Sequence, residues 1–558
     1  MVATVRSSTL VGIDAVPVDV ECVVSSGQLP SYSVVGLPAP TIKEGAVRIR
    51  SALKAVGHDL PFKRVVVNLA PADLRKLGSS LDLPIAVSIL VGDELYDGSA
   101  LEGLLVLGEL GLDGRVREVG GVLASAMLAR SRGMRGIVVP EPCANEALVV
   151  EGIEVYAVRR LSQIIAALSG AEALVPAQPR AIVRRTAKAV VDMAEVRGQH
   201  QARYAIEVAV AGGHNVLLTG PPGTGKTMLA RRLATVLPTM TRDESLEVTK
   251  IYSALGLCTA GLVEDRPFRA PHHTISTPAL LGGGNPLRAG EISLAHNGVL
   301  FLDELPEFSR TAIDGLREPL EDRVVAINRV SGSLKLPASF LLVAAANPCP
   351  CGWLSSGVRE CTCSRHAIDR YRARMSGPLL DRIDLQVPVQ PVKLVDLRST
   401  EAAESSQHIR ERVLAARERQ GARLANWGMR CNAEMTSTVL RAVCKLNQEC
   451  EQLLAELVEH RRTLTARSID RLIKVARTIA DLDGRDDIET GDLEVASAFR
   501  PADPLSDPLS DRLSESMAGS SAKPPLLIKP PGRAGANERG RSSNELRAYP
   551  SQDGAREV

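Results

Sequence analysis

Apolar and polar positions divide the chain into stretches of different rhythm. Over residues 1–170, short apolar runs suggest strands at Val16–Val24, Arg64–Asn68, Leu104–Glu109 and Gly136–Val139. They alternate with helical patterns at Thr41–Val56, Leu83–Val91, Val122–Arg132 and Leu161–Leu168, which predicts an α/β domain. Residues 171–190 carry prolines and no period, and read as a linker. A second α/β unit spans 191–395. A helix over Tyr204–Ala211 precedes the continuous apolar runs Asn215–Thr219, Gly298–Asp303 and Phe340–Ala346, the pattern of strands buried on both faces. Glu321–Val330 and Leu334–Phe340 flank Ser331-Gly-Ser333, a hairpin signal. From 396 to 500 the period is 3.6, with helices predicted over Ser405–Leu424, Thr436–His460 and Arg467–Leu482 and a last one capped by Thr490. Residues 501–558 hold Pro, Ser, Gly and charge, and read as a disordered tail.

The second unit contains the most specific chemistry. Gly220-Pro221-Pro222-Gly223-Thr224-Gly225-Lys226-Thr227 sits between the strand pattern Asn215–Thr219 and the helix pattern Met228–Leu237. This is a P-loop in its required context. Its glycines let backbone N–H groups turn toward phosphate oxygens, and the new helix adds its positive dipole end. Lys226 reaches the β/γ-phosphates and Thr227 offers a hydroxyl to Mg²⁺. Asp303, at the end of an apolar strand, is the second Mg²⁺-holding group, and Glu304 is placed to polarise the attacking water. Asn347 ends the next strand, within reach of the γ-phosphate. Asp303 follows Thr227 by 76 positions, where a minimal βαβ unit takes about 30, so an insertion is expected there. His272 and His273 lie in that interval and read as hydrogen-bonded loop residues, having no Cys or carboxylate at ligand spacing.

The net charge of +2 provides no global field toward nucleic acid or membrane, so any basic surface is local. Asn328, Arg329 and Lys335 at the hairpin are candidates for phosphate contacts; a solvated hairpin is the alternative. No apolar stretch has the roughly 20 residues of a membrane span, and the chain starts without a signal-peptide pattern, so a cytoplasmic protein with reduced thiols is expected. With aromatics at 3%, the cores rest on Val, Leu, Ile and Ala. Four of the ten cysteines form two C-x-C pairs, Cys349/Cys351 and Cys361/Cys363. Such a cluster suits structural Zn²⁺, with free or redox-active thiols as the other reading.

Two resemblances extend this reading. Leu77–Ala86, Gly114–Leu123 and Gly136–Pro140 resemble the proteolytic domain of Lon, whose Ser–Lys dyad cleaves peptides. Ser80 falls at the nucleophile position. Val122 and Leu123 stand where the lysine is expected, and Lys76 is on another segment, so a serine without its base implies a non-proteolytic domain. Gly212–Leu218, Phe268–Thr274, Phe301–Phe308, Ala346–Gly352 and Ser376–Asp384 together resemble the ComM/YifB family of magnesium-chelatase-like AAA+ ATPases, over residues 1 to about 500. The resemblance implies a Lon-like α/β domain, a P-loop AAA+ core, a helical lid and a ring, expected to be a hexamer. It makes Asn347 sensor 1, Arg382 an arginine finger acting on a neighbouring subunit, and Arg467 sensor 2. It directs the hairpin with Arg329 and Lys335 toward a pore and DNA. It further implies an ATP- and Mg²⁺-dependent DNA helicase or branch-migration factor in natural transformation or recombination. The alternative is a remodelling or metal-insertion ATPase acting on protein.

Overall fold

The computed structural model describes residues 2–26, 29–179, 191–258, 261–284, 287–329, 332–354, 356–357, 359–375, 377–392, 395–396, 403–461 and 464–501. Residues 180–190 of the expected linker, and all of the expected tail at 501–558 but its first residue, lie outside the described residues.

The N-terminal part contains two larger sheets and a two-stranded antiparallel pair, Glu109–Leu110 with Val116–Arg117. The first runs Val2–Val11, Asp14–Ser25, Arg64–Ala70, Ser31–Val35 in spatial order, antiparallel except for the last pair. The second is parallel, with Gly136–Pro140 between Leu104–Val106 and Glu154–Val158. The helix Asp82–Gly92 is buried at nearly every position, which explains its unbroken apolar run. Three strands of the two larger sheets were not expected, nor was the two-residue Val116–Arg117. Val2–Val11 buries Ser7, Ser8 and Thr9 and so loses its apolar alternation halfway along. Ser31–Val35 is an edge strand with no buried position, and Glu154–Val158 mixes an exposed glutamate and a half-buried alanine into its buried positions, so it reads neither as a continuous apolar run nor as a clean alternation. The start of the expected linker also pairs with this part: the Ala177 N–H donates to the Val155 carbonyl at 2.7 Å.

The second part is a five-stranded parallel sheet ordered Phe268–Arg269, Val299–Leu302, Leu341–Ala346, Val216–Thr219, Leu385–Pro388. Its three central strands are buried throughout, so each reads as an apolar run. The central Val216–Thr219 ends in the P-loop, and parallel pairing brings the carboxyl ends of its neighbours beside that loop. The 76-position interval holds the helix Arg242–Ala254, capped by Thr241 and Glu244. The hairpin pairs Val324–Arg329 with Gly332–Pro337.

The C-terminal part is helical: Ser406–Leu424, Ser437–Val443, Gln448–His460, Ala466–Leu482 and Thr490–Ala498. The single helix expected over Thr436–His460 is two. The break comes at Cys444, and the Asn447 side chain accepts from the Cys450 N–H at 2.8 Å to start the second; an N-cap of this type begins a new helix rather than continuing an old one. The last helix is capped by Glu489 with Asp492, and Thr490 is its first helical residue.

Candidate active site

The P-loop turns with Gly223 and Gly225 at φ of 80° and 89°, the left-handed region. Gly220 has no room for a side chain: a Cβ there would stand 2.2 Å from the Val389 carbonyl oxygen. Lys226, at the start of the helix Lys226–Val236, is folded into the loop. Its Nζ donates to the carbonyls of Gly220 and Pro221 at 2.6 and 2.8 Å and to Asn347 Oδ1 at 3.1 Å. Burial lowers its pKa to about 8, against the opposing pull of Asp303 and Glu304. Thr227 Oγ1 donates to Asp303 Oδ2 at 2.7 Å, so the two residues expected to hold Mg²⁺ are adjacent. Their hydroxyl and carboxylate oxygens are the hard donors that ion takes.

Glu304 follows with φ 53°, a left-handed conformation rare outside glycine, and its N–H donates to Asp303 Oδ1 at 3.0 Å. His273 Nδ1 lies 3.3 Å from Glu304 Oε2, and the His272 ring is 4.1 Å from that of His273. His272 Nδ1 is hydrogen-bonded within its loop to Thr274 Oγ1 at 2.9 Å, as expected of a loop residue, while the His273 ring sits beside the carboxylate expected to act on water. Asn347 follows the strand Leu341–Ala346, whose Ala346 pairs with Thr219. That register sets the amide against Lys226.

Arg382 and Arg467 are brought together elsewhere. Arg382 Nη2 and Arg467 Nη2 each lie 2.8 Å from a different oxygen of Glu321. Arg382 also donates to the carbonyls of Arg317 and Pro378, at 3.1 and 2.6 Å. The first arginine comes from the sheet domain and the second from the helical part, and one carboxylate between them offsets their mutual repulsion. Next to them, Asp384 is buried and accepts from Arg471 Nη1 at 2.5 Å and the Asn215 N–H at 3.0 Å. Burial pushes this carboxyl up, but Arg471 and His214 outweigh it and hold the pKa well below the usual carboxylate range. Sequence reasoning read His273 as a loop residue and passed over Glu321, Asp384 and Arg471. The Arg467–Leu482 period did place Arg471 one turn after Arg467, which was the available signal.

Val325, Ile327, Leu334 and Leu336 of the hairpin are buried; Asn328 and Lys335 face outward. Arg329 pairs with Gly332 at the tip, and the tip residues 330–331 lie outside the described residues. The buried face packs under the turn joining the first two N-terminal strands: a Cβ on Gly12 would fall 2.1 Å from Leu334 Cδ1. The four cysteines of the C-x-C pairs come together, with all four sulfurs within 4.8 Å of one another.

Ser80 opens on a cavity of about 390 Å³ shared with Ser8, Ser79 and Ser125 and closed by Arg288, Leu334 and Leu336 of the ATPase part. Among the described residues its lining includes no lysine. The Leu123 N–H donates to Glu146 Oε1 at 2.6 Å, and Lys76 is buried with its amine on the Pro71 carbonyl.

A P-loop and an acidic strand end side by side on this parallel sheet define a P-loop ATPase core, and family comparison places it among the magnesium-chelatase-type AAA+ proteins. Residues 192–397 match the magnesium chelatase subunit ChlI, residues 20–142 a second ChlI signature, and residues 403–500 the ChlI C-terminal signature. The chain is 41% identical over 507 residues to the uncharacterised protein YifB of Escherichia coli, covering 90% of this chain and 97% of that one. It is 41% identical over 503 residues to the competence protein ComM of Haemophilus influenzae, covering 89% and 97%. A shorter match, 26% identical over 179 residues, is to the DNA replication licensing factor mcm6 of Dictyostelium discoideum, covering 32% of this chain and 17% of that one. The chain belongs to the ComM/YifB family of magnesium-chelatase-like AAA+ ATPases, and this membership implies ATP and Mg²⁺. Among the described residues no helix is long and apolar enough to cross a membrane.

Proposed function

We propose that this chain hydrolyses ATP as a ring motor, a hexamer, that moves DNA and serves branch migration in transformation or recombination. The observation that carries the reading is the split of the catalytic set. Lys226, Thr227, Asp303, Glu304 and Asn347 form one cluster, and Arg382 and Arg467 share Glu321 in another. Such a split suits a site completed by a neighbouring subunit, and closed rings are built from head-to-tail contacts of that kind.

In this reading Lys226 and the P-loop N–H groups bind the β/γ-phosphates, with Thr227 and Asp303 holding Mg²⁺. When bound, the ion neutralises charge on the phosphate oxygens. Glu304 orients the attacking water, and His273 beside it fixes the carboxylate. Asn347 leaves Lys226 for the γ-phosphate, Arg382 reaches the triphosphate of the next subunit, and Arg467 serves as sensor 2. Lys335 and Arg329 on the hairpin meet DNA phosphates. The similarity to a competence protein and to a replication licensing factor supports DNA over a protein substrate. The N-terminal domain is read as a Lon-like fold that does not cleave peptides, because a serine without a base is not activated. The helical C-terminal part is read as the lid over the nucleotide.

The test is the ATPase rate with and without branched DNA. Stimulation by DNA, with binding that weakens steeply as salt rises, is expected. A rate indifferent to every DNA form, together with no binding at low salt, would favour the remodelling or metal-insertion reading.

A further inference from the structure

The four cysteines lie in a segment with little core of its own: from Cys351 to Cys363, most described residues are half-buried or exposed. Cys349 is the exception, with no accessible surface. The Cys349–Cys351, Cys349–Cys361 and Cys351–Cys361 sulfur separations are 3.4, 3.7 and 3.6 Å. A disulfide needs about 2.05 Å, so none is formed. Four sulfurs placed about 2.3 Å from a central Zn²⁺ at tetrahedral angles stand about 3.8 Å apart, close to the three separations found here. The Cys351 N–H donates to Cys363 Sγ at 3.4 Å. A backbone donor aimed at sulfur supports a thiolate and fixes its direction, as outer hydrogen bonds do around metal ligands.

This cluster is joined to the nucleotide site. Cys349 is two residues after Asn347. The Gly352 N–H closes a turn onto the Cys349 carbonyl at 2.9 Å, with Gly352 at φ 80°. A Cβ on Gly352 would fall 2.5 Å from Pro222 Cδ of the P-loop and 3.8 Å from Asn347 Cγ. The turn between the first two thiols therefore bears directly on the phosphate loop and on the amide that contacts Lys226.

We propose that Cys349, Cys351, Cys361 and Cys363 bind one Zn²⁺ through four thiolates, and that this metal holds the Cys349–Gly352 turn, and with it Asn347, in place against the P-loop. The cysteines are positioning residues; none touches the phosphates. Tetrahedral four-sulfur sites suit zinc, or iron at a rubredoxin-like centre, and zinc is the assignment made here. The positioning half rests on the ATPase reading above, whereas the metal half stands without it.

The experiment uses the full chain purified without chelator. Metal analysis is expected to find one zinc per chain. Replacing it with Co²⁺ is expected to give the absorption bands of a tetrahedral cobalt thiolate, with the fluorescence of Trp353, next to the turn, changing on metal removal. Iron at equal stoichiometry, paired disulfides or four free thiols with no metal would overturn the site. Gly352→Ala leaves all four ligands in place and crowds Pro222, so it is expected to keep its zinc and weaken ATP binding at least about tenfold, the effect of some 1.4 kcal/mol. Cys361→Ser is expected to lose the metal and lower kcat by a similar factor. If that variant fails to fold, stripping and restoring zinc in the unaltered chain gives the same comparison. Gly352→Ala with zinc bound and ATP binding unchanged would refute the positioning role while leaving the metal site standing.

Discussion

Nucleotide binding is predicted to take up a proton above pH 8, through Lys226. In the empty site its ammonium is buried among carbonyls and the Asn347 amide, and the pKa falls from the ordinary lysine value of 10.5 to about 8. At about 1.36 kcal/mol per pH unit the gap corresponds to roughly 3 kcal/mol, an upper figure because some solvent reaches the group. The sign follows from which form burial disfavours. The folded, empty protein resists charging Lys226, so below pH 8 it carries this penalty, which is relieved as pH rises toward 10.5. A triphosphate favours the charged form and restores a high pKa. At pH 7 the lysine is already charged and little proton is exchanged on its account. At pH 9 it is about 90% neutral in the empty site, and binding draws in close to one proton. Apparent affinity should then fall about tenfold per pH unit above 8. Calorimetry at pH 9 in two buffers of different ionisation enthalpy measures the uptake directly, and at that pH the triphosphate is fully ionised and adds none of its own. Lys226→Arg keeps its charge and should bind without uptake. Identical heats in both buffers for the unaltered chain at pH 9 would refute the reasoning.

Two further outcomes test other parts of the structure. Arg471→Met leaves the Asp384 carboxylate buried without its cation, which costs about 3–5 kcal/mol at neutral pH. Because Asp384 has a depressed pKa, the stability it contributes is present above the unfolded carboxyl value near 4 and lost on acidification; denaturant titrations should show the variant's deficit narrowing below about pH 4, and a deficit constant with pH would contradict the pairing. Arg382→Ala and Lys226→Ala chains should each be inactive as ATPases. Mixed in equal amounts they should recover roughly a quarter of normal activity, the share of random ring contacts that join an intact P-loop to an intact arginine. A mixture as inactive as its parts would mean that Arg382 serves its own chain.

What the sequence disclosed depended on how local each feature is. The P-loop, its strand and its helix occupy adjacent residues, and Val299–Leu302 and Leu341–Ala346 announce themselves as apolar runs because a parallel strand is covered on both faces. Phe268–Arg269 has only two residues, too few for any period. Val2–Val11 buries hydroxyls: Ser7 Oγ donates to the Val106 carbonyl and Ser8 Oγ to Ser125 Oγ, at 2.8 and 2.9 Å, across about a hundred residues. The same holds at the site. Asp303 and Glu304 are read from the strand they end. The meeting of Glu321 with Arg382 and Arg467, and of Asp384 with Arg471, joins residues from separate elements and leaves no spacing to find. Asn347 was read from the strand it ends, and Arg382 and Arg467 were assigned by family resemblance; their partners emerge only from the fold.

The contacts of the N-terminal part bear on how a movement of the hairpin would pass through the chain. Near its cavity it is tied to the two segments that enlarge the ATPase core. The helix Arg242–Ala254 offers the Ser253 carbonyl to the Gly121 N–H at 2.9 Å and the Ser253 hydroxyl to Glu146. The hairpin buries Leu334 and Leu336 in one cluster with Ile13. Exposing two leucines costs on the order of 3–6 kcal/mol, and somewhat less where burial is shared with the hairpin's own strands. That is far more than thermal energy. A hairpin displaced by changes at Asn347, ten residues beyond its end at Pro337, therefore costs less if the Gly12 turn travels with it than if the two separate. The cavity at Ser80, walled in part by those same leucines, would change shape in the same movement. The serine pocket is thus a joint between the N-terminal part and the ATPase core.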